Sequence, residues 1–546
     1  MVENNANENS AENLGINTES IDNISKKKSN KKNVIIGLIL LLIIIAGTGA
    51  FLIFNNDNKK ATKTNETDAT NFLSEYRMSG NSLDEFDLSF LKLGERDENV
   101  IYSPLSIKYA LSMLSEGTDG ESKAQINALI GDYKSNKYTN SSNLSLANAF
   151  FVENSFKDSV KDSYTNDLKD KYGAEVIYDS FKTPDVINKW VSNKTFGLIN
   201  NLVDDVSDKQ FALVNALAID MEWKKKIQAT PENWEDEYAI DYVHQNYWAS
   251  VPVFDGKTGE IVKFNNGSIN ANSVEIGASI NNYDIVNTLG EDTIRKFITE
   301  EYTKWSNENP NACGGANPDV KTFVNEYISE LDSNYKKVDS STDFKFYDDE
   351  NVKVFAKELK EYNGTTLEYI GVMPKNKTLN EYIKTISAKN LNETINKTKT
   401  IELDNFEKGS IYKITGGIPL FKYDYKLNLM DDLQKLGVKD IFTPGKANLS
   451  KIVSDSGAFI DSASHKANIE FSNDGIKAAA ATEVGGSGAG DCMFDYLYEV
   501  PVVEIDLTFN NPYLYIIRDK KSGEVWFVGT VYEPSVNNVG PNYGDR

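Results

Sequence analysis

The chain has 546 residues, too many for one ordinary core of about 100–200, so two or three domains, or one large domain with additions, are expected. Hydrophobic residues at 40% and charged residues at 25% describe a mostly soluble globular chain, and exclude a polytopic membrane protein, a collagen and a wholly disordered polymer. Lys and Arg number 58 against 81 Asp and Glu; the net charge of -23 repels phosphate backbones and argues against a nucleic-acid partner. Two cysteines and two histidines, His244 and His465, offer neither a disulfide scaffold nor a Cys-based zinc site nor a His-rich cluster, so no metal and no cofactor is expected.

Residues 1–33 are rich in Asn, Ser, Glu and Lys and read as a disordered cytoplasmic tail. Val34 to Phe54 is a 21-residue uncharged run. As a helix it spans roughly 31 Å, close to the hydrocarbon core of a bilayer. Lys26, Lys27, Lys28, Lys31 and Lys32 precede it and hold that end in the cytoplasm, which puts the rest outside the cell on a single-pass transmembrane helix. The alternative is a cleaved signal peptide, against which stand the length of the preceding region and of the apolar run. Residues 55–77 form a polar tether, and 536–546 a C-terminal tail.

The folded body is expected over 78–535. Leu83, Phe86, Leu88 and Leu91 fall at helical spacing. A short strand around Val100 to Tyr102 meets the Ser103-Pro104 turn; a helix follows, with Gly117 as its stop signal. Leu144 to Val152 reads as a strand. Phe211 to Ile219 reads as another, apolar except at Asn215, which suits the middle of a sheet covered on both faces. The C-terminal part carries many strands without regular βα alternation, which predicts a mixed α/β (α+β) fold with mainly antiparallel sheets.

Gly475 to Ala489 (GIKAAAATEVGGSGA) has two readings. Its alanines suit a helix or a linker. At period two, Ile476, Ala478, Ala480, Thr482 and Val484 share one face and Lys477, Glu483 and Ser487 the other, which suits a strand entering a packed sheet. Alanine is a poor strand former, so the segment need not be a strand until a sheet accepts it.

Six segments together resemble the serpin family, in that family's order, across about residues 78–535. They are NVIYSPLSIKYALSMLSEGTDGESKAQI, INKWVSNKTFGLINNLV, LVNALAIDMEW, LQKLGVKDIFTPGKANLSKI, the stretch from SHKANIEFSNDG into KAAAAT, and FNNPYLYIIRDKKSGEVWFVGTVYEP. The resemblance implies a serpin fold, with three mainly antiparallel sheets, about eight to nine helices and an exposed reactive-centre loop at about 473–500. It implies a suicide-type inhibitor, not an enzyme. In that reading a serine or cysteine endopeptidase cleaves the loop, and the hinge enters the central sheet before the acyl-enzyme is released, trapping the protease in a covalent complex. On this resemblance Gly475, Ile476, Lys477, Ala478, Ala479, Ala480, Ala481 and Thr482 form the hinge. Ser103, Ser106, Asn215 and His465 match the shutter beneath the central strands, and Trp223 the breach at the top of the sheet. A monomeric, membrane-tethered bacterial protein facing outward is expected.

The chain departs from the family pattern at several points. Asn473 and Leu420 stand where a Glu–Lys pair often lies, Lys224 to Ile227 replace a Pro-Phe, and Ile476 is larger than the usual first hinge residue. An insertion at about 236–340 is either a partner-binding subdomain or a surface elaboration. Counting fourteen residues past Gly475 places the scissile bond at Ala489-Gly490, suiting a shallow protease pocket; Met493-Phe494 is the rival. Cys313, in the insertion, and Cys492, in the loop, either pair and tether the loop or remain two free thiols. A serine hydrolase is disfavoured, since Ser487 lies in no G-x-S-x-G elbow and His465 would be its only plausible base. The remaining alternative is a non-inhibitory binding or adhesion module at the cell surface.

Overall fold

The computed structural model describes residues 38–47, 82–227, 260–282, 290–310, 316–472 and 502–536, apart from 95–96, 132, 135, 226, 335, 341 and 455–456. In chain order the elements are β1 (Leu38–Gly47), α1 (Glu85–Lys92), β2 (Ile101–Tyr102), α2 (Pro104–Gly117), α3 (Gly120–Ile130), β3 (Leu144–Glu153), α4 (Asp162–Tyr172), β4 (Glu175–Asp179), α5 (Asp185–Lys194) and β5 (Lys209–Ile219). After the first insertion residues come β6 (Glu260–Phe264), β7 (Ile269–Asn282), α6 (Glu291–Glu308), α7 (Val320–Asn334) and β8 (Lys336–Ser340). The remainder is β9 (Lys345–Asp348), β10 (Val352–Glu358), β11 (Leu367–Pro374), α8 (Leu379–Thr385), α9 (Ala388–Ile395), β12 (Lys399–Thr400), β13 (Ile411–Pro419), β14 (Phe421–Asn428), α10 (Leu429–Lys435), β15 (Phe459–Phe471), β16 (Val502–Asp506), β17 (Tyr513–Asp519) and β18 (Val525–Val531).

These strands make three sheets. One has six strands in the order β14-β15-β1-β5-β3-β4. A second has seven, β12-β9-β10-β11-β17-β18-β2. The third runs β16-β13-β7-β6, with β8 also on β7. Only β3–β4 and β13–β16 pair in parallel, so the expected mixed fold with mainly antiparallel sheets is what is found. Ten α-helices occur among the described residues, against the eight to nine expected. The insertion accounts for the surplus, since it contributes α6 and α7, which pack on each other through a stacked Tyr302–Phe323 pair at 3.8 Å.

Strand β5 is buried from Phe211 to Ile219, as its apolar run requires. Phe211 and Leu213 join one large core, while Ala212, Val214, Ala216 and Ala218 lie against Ile187, Trp190 and Val191 of α5. Helix α2 begins where the Ser-Pro dipeptide predicts. Ser103 is its N-cap and accepts from the Ser106 N–H at 3.1 Å, and Pro104 occupies the first turn, where a missing N–H costs nothing. Gly117 ends α2 for a reason other than a turn: a Cβ there would meet Ile452 Cγ1 at 2.3 Å, so the glycine is needed for close approach.

Structure and expectation part at Leu38–Gly47, the described portion of the apolar run. Leu38–Gly47 is a strand, not a membrane-spanning helix, and among the described residues no helix is long and apolar enough to cross a membrane. The physical reason is that an uninterrupted apolar run carries no period; a bilayer favours it as a helix, while a vacant central sheet position with ladder partners on both sides favours it as a strand. Three consecutive β-branched residues, Ile43 to Ile45, suit the second environment.

Candidate functional site

The six-stranded sheet has an unusual centre. β1 is antiparallel to β15 on one side, from Leu41↔Lys466 to Gly47↔Phe459, and antiparallel to β5 on the other, from Leu38↔Ile219 to Gly47↔Lys209. β5 and β15 therefore run parallel to each other, with one antiparallel strand between them. Without that strand the two could meet only as a parallel pair, which is slightly less stable per residue than an antiparallel one.

Beneath this centre lies a continuous polar chain. The Ser103 N–H donates to His465 Nε2 at 3.1 Å. The Ser106 hydroxyl donates to Asn215 Oδ1. Asn215 Nδ2 donates to Asn148 Oδ1 at 2.7 Å, and Asn148 Nδ2 to the Tyr172 carbonyl at 2.9 Å. Ser103, Ser106, Asn215 and His465 are fully buried and Asn148 nearly so. The sequence therefore brings all four expected shutter residues together. Asn215 sits on β5 and His465 on β15, the two strands that flank the central position, while both serines start α2 underneath. Burial alone pushes the His465 pKa down to about 3, so the ring is neutral, with Nε2 as an acceptor and the proton on Nδ1. A buried imidazole so far below the usual range is no solvent-accessible general base.

Asn148 escaped the sequence reading, although the signal was present. It is the lone amide in the apolar strand LSLANAFFVE, as Asn215 is in FALVNALAI, and the two are register partners.

Trp223 closes one end of the same sheet. It is 1% exposed, its Nε1–H donates to the Ser472 carbonyl at 3.0 Å just beyond β15, and its ring meets Phe471 and Tyr369 edge-on. Lys357 lies 5.7 Å from that ring and is likewise buried; its ammonium donates to Thr342 Oγ1 and, at 2.7 Å, to both the carbonyl and the carboxylate of Asp343. Burial brings its pKa down to about 8. Nothing in the sequence singled out Lys357. Leu420, at the position where the family pattern often has a lysine, packs partly buried against the core.

The hinge from Gly475 to Thr482, both candidate scissile bonds (Ala489-Gly490 and Met493-Phe494), Asn473, His244, Cys313 and Cys492 lie outside the described residues.

The chain thus folds around a six-stranded central sheet with a serine–asparagine–histidine chain beneath it and a buried tryptophan at one end. The chain belongs to the serpin family: the family model described as "Serpin (serine protease inhibitor)" matches residues 85–240 and 332–534, leaving out most of the insertion. It is 25% identical over 468 residues to neuroserpin of Mus musculus, covering 81% of this chain and 88% of that one. It is 24% identical over 495 residues to an uncharacterized serpin-like protein of Methanosarcina acetivorans, covering 86% and 89%. The crystal structure of tengpin, a thermophilic serpin in its native state, superposes with a TM-score of 0.53 at 20% identity, over 88% of this chain and 97% of that one; uncleaved ovalbumin gives 0.51 at 18%, over 84% and 100%. These two structural likenesses speak to the fold.

Proposed function

We propose that this chain is a suicide-type inhibitor of serine endopeptidases, in which cleavage at Ala489-Gly490 frees the hinge to enter the central sheet between β5 and β15 and so traps the acyl-enzyme. The observation that carries this reading is the strand already accommodated there, antiparallel to both neighbours. A strand running on from β15 through the hinge would also return antiparallel to β15. Once β1 has left that position, it would supply two antiparallel ladders where β5 and β15 could otherwise meet only in parallel. About fourteen residues, at roughly 1 kcal/mol net per hydrogen bond, supply on the order of 10 kcal/mol, and carry the cleaved end roughly 46 Å. In this reading Ser103, Ser106, Asn215, Asn148 and His465 hold the sheet from below. The polar chain runs from α2 to each flanking strand separately, so the strands can part without every bond being lost. Trp223, on Ser472, guards the end where the hinge begins. A human relative, 32% identical over 146 residues that make up 27% of this chain and 36% of that one, is named for inhibiting leukocyte elastase, and the small residues Gly485 to Gly490 suit a shallow protease pocket. When Leu38–Gly47 is not seated as β1, the apolar run Val34 to Phe54 is long enough to tether the inhibitor to the cell membrane with its body outside.

The test is to mix the protein with a panel of serine proteases and to weigh both the SDS-stable complex and the C-terminal peptide it releases. A stable complex and a peptide starting at Gly490 are expected. A peptide starting at Phe494 moves the bond to Met493-Phe494, and nicked protein without any complex leaves the non-inhibitory binding module as the function.

A further inference from the structure

The central position between β5 and β15 is filled by residues far from the reactive loop. Leu38–Gly47 supplies ten consecutive pairs or near-pairs to β5 and seven registered partners on β15. Leu42 stands opposite both Asn215 and His465, so the occupant crosses the polar chain at its middle, and the bonds from α2 to those two side chains are made with the strand in place. The link from Gly47 to the next described residue, Ser82, is long enough to follow any path over a domain of this size, since thirty-odd residues reach on the order of 100 Å.

The hinge would need the same place in the same direction. Chain continuity from Phe471 makes any strand that turns back beside β15 antiparallel to it, as β1 is. One position cannot hold two strands. We infer that Leu38–Gly47 is an internal plug: a strand of this chain that occupies the loop-accepting slot and must be displaced before the hinge can enter. This rests on the inhibitory reading above. The register also shows how displacement would begin. β1 pairs with β15 only from Lys466 downward, so among the described residues Ala467, Asn468, Ile469, Glu470 and Phe471 have no ladder partner on that edge. These five positions lie at the Trp223 end, next to the residues leading into the hinge. Leu38 to Leu40 are held at that end by β5 alone, so the first hinge residues can lift them and then peel β1 away from Leu41 toward Gly47, exchanging each ladder bond for another. A bilayer competes for the same plug, because residues inserted as a membrane helix cannot also form β1. Membrane attachment thereby frees the slot.

The experiment uses the full chain with Cys313→Ser and Cys492→Ser, and Ile44→Cys with Ala463→Cys. These two are register partners on β1 and β15, and antiparallel partners lie about 4.5–5.5 Å apart at Cα, within disulfide reach. The cross-link is read by peptide mass mapping, first in detergent-free buffer and then in phosphatidylcholine–phosphatidylglycerol vesicles. A parallel chain carries Ile43→Pro, which removes a ladder donor from the middle of the strand. Stable-complex yield with an elastase-like and a subtilisin-like protease is measured for parent and proline variant. A cross-link in buffer that is lost in vesicles, with about tenfold more complex from Ile43→Pro in buffer, supports the plug. Failure of the cross-link in buffer overturns it, as does a cross-link with equal, substantial complex from both chains. A cross-link with no complex from either chain supports the seated strand and overturns the inhibitory reading instead.

Discussion

His465 and Lys357 are buried ionisable groups at this site, and both are held below their ordinary pKa by burial. For His465 the folded value is about 3 against an ordinary 6.5. Between those values the unfolded chain binds a proton that the folded chain does not, so stability is complete above about pH 6.5 and falls as the pH drops toward 3, by about 1.4 kcal/mol per unit. His465→Gln keeps an acceptor for the Ser103 N–H and cannot titrate; its urea-unfolding stability should be flat across that window where the parent's slopes. For Lys357 the folded value of about 8 lies below 10.5, so the unfolded chain again binds the extra proton, and stability rises from pH 8 to 10.5. Lys357→Met removes a buried ammonium whose carboxylate partner, Asp343, is half exposed and can be solvated. It should stabilise the fold at pH 7 by about 1–3 kcal/mol and abolish the alkaline rise; a loss of stability at pH 7 would mean that the Thr342 and Asp343 bonds outweigh the desolvation.

At the level of elements, the central sheet is governed by what stands between β5 and β15. In the proposed inhibitory reading, the hinge enters with Ala478, Ala480 and Thr482 on one face. Ala480→Asp would bury a carboxylate without a partner at a cost of several kcal/mol. Insertion then slows and hydrolysis of the acyl-enzyme wins, so the variant should be nicked as a substrate with stable complex reduced at least tenfold on gels. If complex formation is undiminished, that face points to solvent and the register of the inserted strand is shifted by one.

For the molecule as a whole, the occupancy of the slot predicts the thermal consequence of nicking the loop. On the proposed mechanism, a domain whose slot is empty gains two ladders when its cut loop enters, worth on the order of 10 kcal/mol, or roughly 10 °C in Tm for a domain of about 450 residues. In the full chain the slot is already filled by β1. Nicking within 473–501 should therefore leave Tm nearly unchanged in the parent in buffer and raise it in Ile43→Pro, as followed by circular dichroism. An equal rise in both would show that the cut loop expels the plug without resistance.

Local chemistry made much of this architecture legible. Ser103-Pro104 announces the start of α2 because a hydroxyl cap and a residue without an N–H suit the first turn and little else. The unbroken apolar run of β5 announces burial on both faces, and the six ordered segments announce the family. Asn215 and His465 were marked by resemblance, but that they flank a single strand position follows only from the sheet order. The Asn148 link and the lysine beneath Trp223 needed tertiary structure, since each joins residues from separate strands through side chains that look ordinary in isolation. The fate of Leu38–Gly47 shows where sequence stops. An apolar run without a period satisfies its backbone either within itself, as a helix in lipid, or on neighbours, as a strand in a sheet, and only the presence of two unpaired edges running parallel on either side decides for the strand.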